Sequence, residues 1–386
     1  MSTPLTSTSI LTHFAGVTDP RVERCRRHKL IDILAITICA VISNCDSYEA
    51  IAAYAEEKID FLKTFLDLPN GTPSHDTFGR VLKRIQPEAL RDCLLNWTAS
   101  IVDTTAGKII AIDGKTLRGS LDRAAGKSAL HLVSAWASEL SLTLGQVATD
   151  AKSNEITAIP KLLEILDLAG AIATINAMGC QKDIAAKICE KEGKYVLQLK
   201  GNHPNLFEAV QNAFTDRFDA DPSQTEVLPM SVFEFAEESG HGRKEKRTVY
   251  ALDVPSDLAG KDEWADLRKI ILVYRERRVG EKTSEEFSYH LSNHDADAEE
   301  FGRIIRLHWG IENSLHWVLD VTFKEDANRE KTGHGPNNMG LLRRLIVSLL
   351  KQEESKGSLK SKRMRAGWNN DFLVKILGNS SENQHA

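Results

Sequence analysis

Long apolar runs are missing from this 386-residue chain. The longest, Ile31 to Ile42, is interrupted by Asp32 and is shorter than the roughly 20 residues that span a bilayer. It is therefore expected to be a buried helix, and no membrane partner is expected. Met1 to Thr12 has no basic start followed by an apolar core, so no secretory leader is expected either. Cysteine is scarce: Cys25, Cys39, Cys45, Cys93, Cys180 and Cys189 are scattered without CxxC pairing. Such cysteines act as small hydrophobes and suit a reducing, cytoplasmic compartment. Positive charge is not in excess, since 49 Lys and Arg face 54 Asp and Glu for a net charge of −5. The total argues against a nucleic-acid partner, but phosphate contacts are local, and placement outweighs the sum. Basic clusters stand at Arg21 to Lys29, Arg243 to Arg247, Arg275 to Arg278 and Lys356 to Arg365. One such cluster is more often a solvated face; four make an extended DNA track a candidate.

Hydrophobic residues at 42% and charged residues at 27% describe a globular chain. Its length exceeds the roughly 250–300 residues at which single cores stop growing, so several domains are expected. Apolar positions recur at helical spacing in Leu30 to Val41, Ile51 to Phe65, Phe78 to Ile85 and Leu90 to Ile101. Pro69-Asn70-Gly71-Thr72-Pro73 separates two of these helices, with Ser74 or Asp76 placed to cap the next. From Lys108 the pattern changes. Strands are expected at Lys108 to Asp113, Leu130 to Trp136, Leu142 to Thr149, Ala171 to Asn176 and Lys194 to Leu199, with helices at Ile159 to Leu168 and Asp183 to Glu192. Thr248 to Val254, Lys269 to Tyr274 and Glu286 to Ser292 read as a small inserted sheet. Helix returns at Glu299 to Leu319, with Asp297 and Glu300 spaced as a capping box, and at Met339 to Lys351.

Three segments carry candidate chemistry. In KIIAIDGKTLRGS, Asp113 ends a buried strand, Gly114 permits a turn, and Lys115 and Arg118 follow within reach of a phosphate. No phosphate-binding P-loop is present, because Ile109 stands where the first Gly would be needed. In AIATINAMGCQKDIA, Asn176 occupies the place that corresponds to Asp113. An amide offers a cation one carbonyl oxygen and no charge. In RIIRLHWGIENSLHWVLDVTFKEDANR, regular helical spacing puts His308, Glu312 and His316 on one face. Trp309 and Trp317 are expected to be core, and the HExxH spacing of zinc peptidases is missing.

The chain resembles the DDE insertion-sequence transposases of the ISAs type, which include the H-repeat-associated proteins linked to Rhs elements. The likeness rests on AIDGKTLRGS, KSNEITAIPKLL, TINAMGCQ, LKGNH, GHGRKEKR and HWGIENSLHWVLDVTFKED in that order, with DPRVERCRRHKLIDIL and PSHDTFGRVLKRI near the N-terminus. It implies an α/β fold: a ribonuclease-H-like mixed-sheet catalytic core with a β-rich insertion, preceded by an all-helical N-terminal domain. The expected boundaries are 1–105 for the DNA-binding helical domain, 106–217 with 294–352 for the core, and 218–293 for the insertion. A basic, flexible tail over 353–386 completes them. The resemblance implies metal-binding catalytic positions at Asp113, Asn176 and Glu312, where relatives carry TIDAMGCQ around the second. It implies two Mg²⁺ (or Mn²⁺) ions in the active form. Residues implied to contact or support DNA are Lys115, Arg118, Lys200, Asn202, Arg243, Arg306, His308, Trp309, Asn313 and His316. The implied partners are double-stranded DNA, as element ends and target, and further copies of the chain on that DNA, in the bacterial cytoplasm. A catalytically dead DNA-binding derivative and a Mg²⁺-dependent nuclease on the same core remain open as alternatives.

Overall fold

A computed structural model describes residues 10–149, 154–220, 228–240 and 242–378. In chain order the elements are α1 (Ile10–Phe14), α2 (Leu30–Ile42), α3 (Tyr48–Glu57), α4 (Ile59–Leu62), α5 (His75–Leu82), α6 (Pro87–Ile101), β1 (Ile109–Leu117), β2 (Leu130–Ala137), β3 (Leu142–Ala148), α7 (Glu155–Ile165), β4 (Ile172–Ile175), α8 (Lys182–Glu190), β5 (Lys194–Leu199), α9 (Pro204–Asp219), β6 (Met230–Gly240), β7 (Arg243–Asp253), β8 (Lys269–Val279), β9 (Lys282–Ser292), α10 (Ala298–His308), α11 (Trp317–Val321), α12 (Gly335–Gln352), α13 (Leu359–Trp368) and α14 (Asn370–Gly378). They form two compact units. The first contains residues up to Thr104, Gly114–Asn154 and the chain from Glu312; the second contains Thr105–Asp113 and Glu155–Ile311. These units cut across the sequence-based boundaries, and β1 itself divides between them after Asp113.

In the first unit, α2 is buried on every side except at Ile31, as its almost wholly apolar sequence, broken by Asp32 and Thr37, leads one to expect. Helix α12 packs against α2, α5, α6 and β3. Its Asn338 is fully buried and donates to the carbonyls of Leu82 and Ile85 at 2.7 and 2.9 Å, satisfying acceptors that the end of α5 leaves open. The helix expected over Ile51 to Phe65 breaks at Lys58 into α3 and α4. Ser74 stands at the N-cap of α5 but makes no side-chain capping bond. Within the segment expected to be a flexible tail, residues 359–378 fold as α13 and α14, while 379–386 lie outside the described residues. Phe372, Leu373, Ile376 and Leu377 are buried there, and Arg363 is tied to the carbonyl of Val41 and to Asp46. Its amphipathic spacing was masked by the basic residues that precede it.

In the second unit the strand order is β1-β4-β5-β9-β8-β7-β6, parallel from β1 to β5 and antiparallel from β5 onward. The β-rich insertion is therefore no separate small sheet: β9 pairs directly with β5 and carries β8, β7 and β6 with it. Helix α10 covers one face, where Phe301 and Ile304 meet Ile109, Ile172, Val196, Val249, Ala251, Ile271 and Val273. Each large side chain so buried contributes roughly 1.5–3 kcal/mol. Asp297 caps α10 by accepting from the Glu300 N–H at 2.9 Å, as its spacing predicts. Helix α9 and strand β6 escape sequence reading. Helix α9 starts at Pro204 and buries only a narrow Leu206, Val210, Phe214 stripe, and β6 buries no residue fully.

One glycine tests how tightly the AIDGKTLRGS motif packs in the first unit. A Cβ on Gly119 would lie 1.9 Å from the carbonyl oxygen of Asn328. Gly119→Ala is expected to destabilise the protein by about 1–3 kcal/mol, read as a fall in thermal unfolding midpoint. An unchanged midpoint would show that this close approach relaxes freely.

Candidate active site

Alternation along the strands decides which side chains meet near the end of α10. Ile109, Ala111 and Asp113 share one face of β1, and Ile172, Thr174 and Asn176 follow the same face of β4 and its exit. The parallel register pairs Ile109 with Ile172 and stops at Ile112 with Ile175. Asp113 is thus the first residue beyond that ladder, although β1 continues through Gly114 to Leu117 rather than turning there. At this point the face changes from apolar to polar. Asn176 donates from Nδ2 to Asp113 Oδ1 at 2.7 Å, while its own Oδ1 accepts from the Met178 N–H at 3.2 Å. Asp113 is buried and Asn176 half-buried.

The turn that follows Asn176 is braced on two sides. A Cβ on Gly179 would come within 2.3 Å of Ile175 and 2.7 Å of Ile159, so this position demands glycine. From the LKGNH motif, Asn202 donates to the carbonyl of Ala177 at 3.1 Å and His203 Nε2 lies 2.7 Å from that of Cys180. Lys200 stays exposed at the end of β5. The face also holds two residues that sequence reading overlooked. Thr174 Oγ1 lies 2.9 Å from Nδ1 of His308, the last residue of α10. His290, on β9 opposite Gln198 of β5, is buried. Their signal was available: both lie on strands, at positions of the face that carries Asp113 and Asn176. Burial holds the His308 imidazole down to about 4, against a hydrogen bond to Thr174 that works the other way. Burial likewise holds His290 down to about 3, with His308 and Lys200 adding to the effect. Arg306 is exposed and pairs with Glu238 at 2.8 Å, and Arg243 is exposed opposite Gly240 on the β6–β7 hairpin.

The remaining candidates belong to the first unit. Lys115 is buried, with Nζ 2.7 Å from Asp320, 3.3 Å from Asp326 and 3.9 Å from Glu325. Its expected phosphate contact gives way to an internal ion-pair role, since three carboxylates surround it. Arg118 is 83% exposed, with Asp326 at 3.5 Å. Glu312 and Asn313 are exposed and His316 half-buried on a π-helical turn, Glu312–His316. Trp309, at the end of α10 in the second unit, and Trp317, in the first, are 50% and 58% exposed, so neither is the core residue its size suggested.

Comparison with known proteins places this geometry. Residues 104–350 match the transposase DDE domain, and residues 11–98 match the DDE_Tnp_1-associated domain. Over 97% of its length the chain is 39% identical to the protein named "Putative transposase YncI" of Escherichia coli O157:H7, covering 95% of that protein. It is 37% identical, over 96% of its length and 98% of the relative's, to "H repeat-associated putative transposase YhhI" of Escherichia coli K12. The chain belongs to the DDE transposase family, of the H-repeat-associated type. A shorter match, 51% identical over 57 residues and 15% of this chain, is to a protein named "Inactive transposase YbfQ", of which it covers 68%.

DDE transposase domains generally use divalent metal ions. The side chains of this transposase do not fit a pair of them in the second unit. An amide N–H occupies an oxygen of Asp113, where two cations call for a second anionic carboxylate. Among the described residues, no three His, Cys, Asp or Glu side chains are grouped to hold a metal.

The half-buried His308 has a measurable consequence. An unfolded histidine takes up a proton below about pH 6.5. Native His308 does so only near 4, so stability is present above pH 6.5 and is lost as pH falls toward 4. His308→Gln should flatten this decline by at most about 1.4 kcal/mol per pH unit in denaturant titrations between pH 4 and 6.5. Identical pH profiles for the two proteins would mean that His308 titrates normally in the native state.

Proposed function

We propose that this transposase binds the double-stranded ends of an insertion element as a homo-oligomer, and that Asn176 impairs its metal-dependent cleavage and strand transfer. The family and the parallel β1-β4-β5 arrangement support a ribonuclease-H-like core. Within it Asp113 is the first acid and Glu312 the last, by their places in AIDGKTLRGS and HWGIENSLHW. The observation that carries the reading is the 2.7 Å hydrogen bond from Asn176 to Asp113.

Phosphodiester transfer needs an attacking oxygen, from water or a DNA 3′-hydroxyl, in line with the leaving oxygen. In this family the chemistry at that step is supplied by divalent ions, Mg²⁺ or Mn²⁺, held by carboxylates. A neutral amide at position 176 removes one anionic ligand. It also donates to Asp113, taking up an oxygen that would otherwise face a cation. Lys200, with Arg118 and Arg243, remains exposed to contact DNA phosphates, and Trp309 offers an exposed ring. A derivative that binds DNA without cutting it is the second reading. It is favoured by the same amide and by the likeness to a relative named inactive.

Cleavage of labelled element-end DNA separates these readings. Asn176→Asp should raise Mg²⁺-dependent cleavage by roughly 100-fold or more while changing DNA affinity little, with Asp113→Ala as the inactive control. Cleavage by the unchanged chain at the rate of Asn176→Asp would place the second acid elsewhere. Failure of both to cut, with DNA binding intact, would leave the binding derivative. A metal readout accompanies the assay. The unfolding midpoint of Asn176→Asp should rise with added Mg²⁺ well beyond any rise in the unchanged protein, since a ligand that binds only the folded state stabilises it.

A further inference from the structure

Far along the sequence from Asp113 and Asn176, the N-terminal helical segment contains a cleft of about 560 Å³ between the 21–28 loop and the start of α5. Its lining carries charge of one sign. Arg21, Arg27, Arg80 and Arg84 supply it, and no Asp or Glu lines the cleft.

The four arginines are not equivalent. Arg21 is 6% exposed and acts as a strut: it donates to both oxygens of Asp19 at 2.9 and 2.8 Å and to the carbonyl of His28 at 2.7 Å. Arg27, Arg80 and Arg84 are exposed, and none forms an ion pair with a carboxylate among the described residues. Arg80 donates from Nε to the carbonyl of Asp76 at 3.2 Å, which holds its guanidinium beside the first turn of α5. The hydroxyls of Ser74 and Thr77 lie on the same wall, 3.2 Å from each other, and Ser74 is not used as a helix cap. His28 is held below the ordinary imidazole value, first by burial and then by Arg27, while a hydrogen bond to the Gly71 backbone opposes them and Arg21 adds a smaller push downward.

The walls are also fixed before any ligand arrives. Asn70 donates to the carbonyl of Arg27 at 2.7 Å, tying the turn before α5 to the arginine loop, and Arg26 donates to the carbonyl of Arg21 at 2.9 Å. Uncompensated cations on a concave protein wall focus a positive potential, and guanidinium forks match phosphate oxygens. A site already held in shape loses little entropy when occupied.

We propose that this cleft seats a backbone phosphate of duplex DNA. The proposal rests on the reading of the chain as a DNA-binding transposase and adds where its N-terminal segment grips the duplex. Contacts of this kind position a duplex without reading its sequence. Cys25, the exposed cysteine of the six, lines the same cleft and reports on its occupancy.

The experiment uses the full chain and a labelled duplex, with affinity measured across a salt series and Cys25 reactivity measured with a maleimide. Arg27→Gln with Arg84→Gln should weaken binding roughly 10-fold near 0.1 M salt and reduce the slope of log K against log salt by about 1. The loss should be equal for element-end and scrambled duplexes. In the unchanged protein, bound duplex should slow modification of Cys25, and inorganic phosphate at equal phosphate concentration should not. Unaltered affinity and slope in the double variant, with no protection of Cys25, would overturn the cleft while leaving DNA binding itself intact. Protection by inorganic phosphate but not by duplex would make it a small-anion site and overturn the proposal too. Absence of any duplex binding by the unchanged protein would overturn both this proposal and the reading beneath it. The Cys25 measurement needs no substitution, so a variant that fails to fold still leaves the proposal testable.

Discussion

Successive side chains of a β-strand point to opposite faces, and in the second unit this one constraint links the core to the chemistry. The face that gives Ile109, Ile172, Val196 and Ile271 to the core under α10 continues along the same strands to Asp113, Thr174, Asn176 and His290. A register slip of one residue would move the core set to the other face and carry the polar set with it. Packing energy therefore holds the polar residues in place without being spent at the site itself. His308, at the end of α10, is the point where the covering helix meets that polar end, through Thr174.

The first unit depends on a different balance. Glu325 is fully buried, and its Oε1 lies 3.2 Å from Arg344 and 3.7 Å from Arg343, with Lys115 at 3.9 Å from Oε2. Burial pushes Arg344 below its ordinary range, with Glu325 acting against that shift. Such a cluster is stable only while complete, because losing one partner leaves an uncompensated buried charge that costs roughly 3–5 kcal/mol. This accounts for Lys115 in AIDGKTLRGS and for Glu325 and Asp326 in VTFKED as partners of one another. Two motifs of the family are joined by structure as well as by chemistry.

At position 176 a single atom matters. Asparagine and aspartate have nearly the same shape, so the turn, the Met178 N–H bond and the tight packing of Gly179 all accommodate either. What differs is that the amide donates to Asp113, where a second carboxylate would repel it unless a cation lay between them. On the proposed reading, asparagine at 176 satisfies the fold with one charge fewer than aspartate would bring.

Much of the plan was legible in the chain itself. Periods of 3.6 and 2 located α2, α6, β5 and α10, the spacing of Asp297 and Glu300 located a cap, and Asp113 and Asn176 stood out at the ends of two buried runs. Those features are local, set by neighbours a few residues apart. Others were decided only in three dimensions. That β9 joins β5, and so makes the insertion part of the core sheet, depends on pairing residues about 90 positions apart. That Lys115 pairs with Asp320, Asp326 and Glu325 depends on residues about 200 positions further along the chain. That the basic C-terminal segment folds as α13 and α14 depends on α2, whose Val41 carbonyl accepts from Arg363. A sequence states what each side chain is able to do; a partner distant in the chain selects which of those capacities is used, because hydrogen bonds and ion pairs act only within a few ångströms.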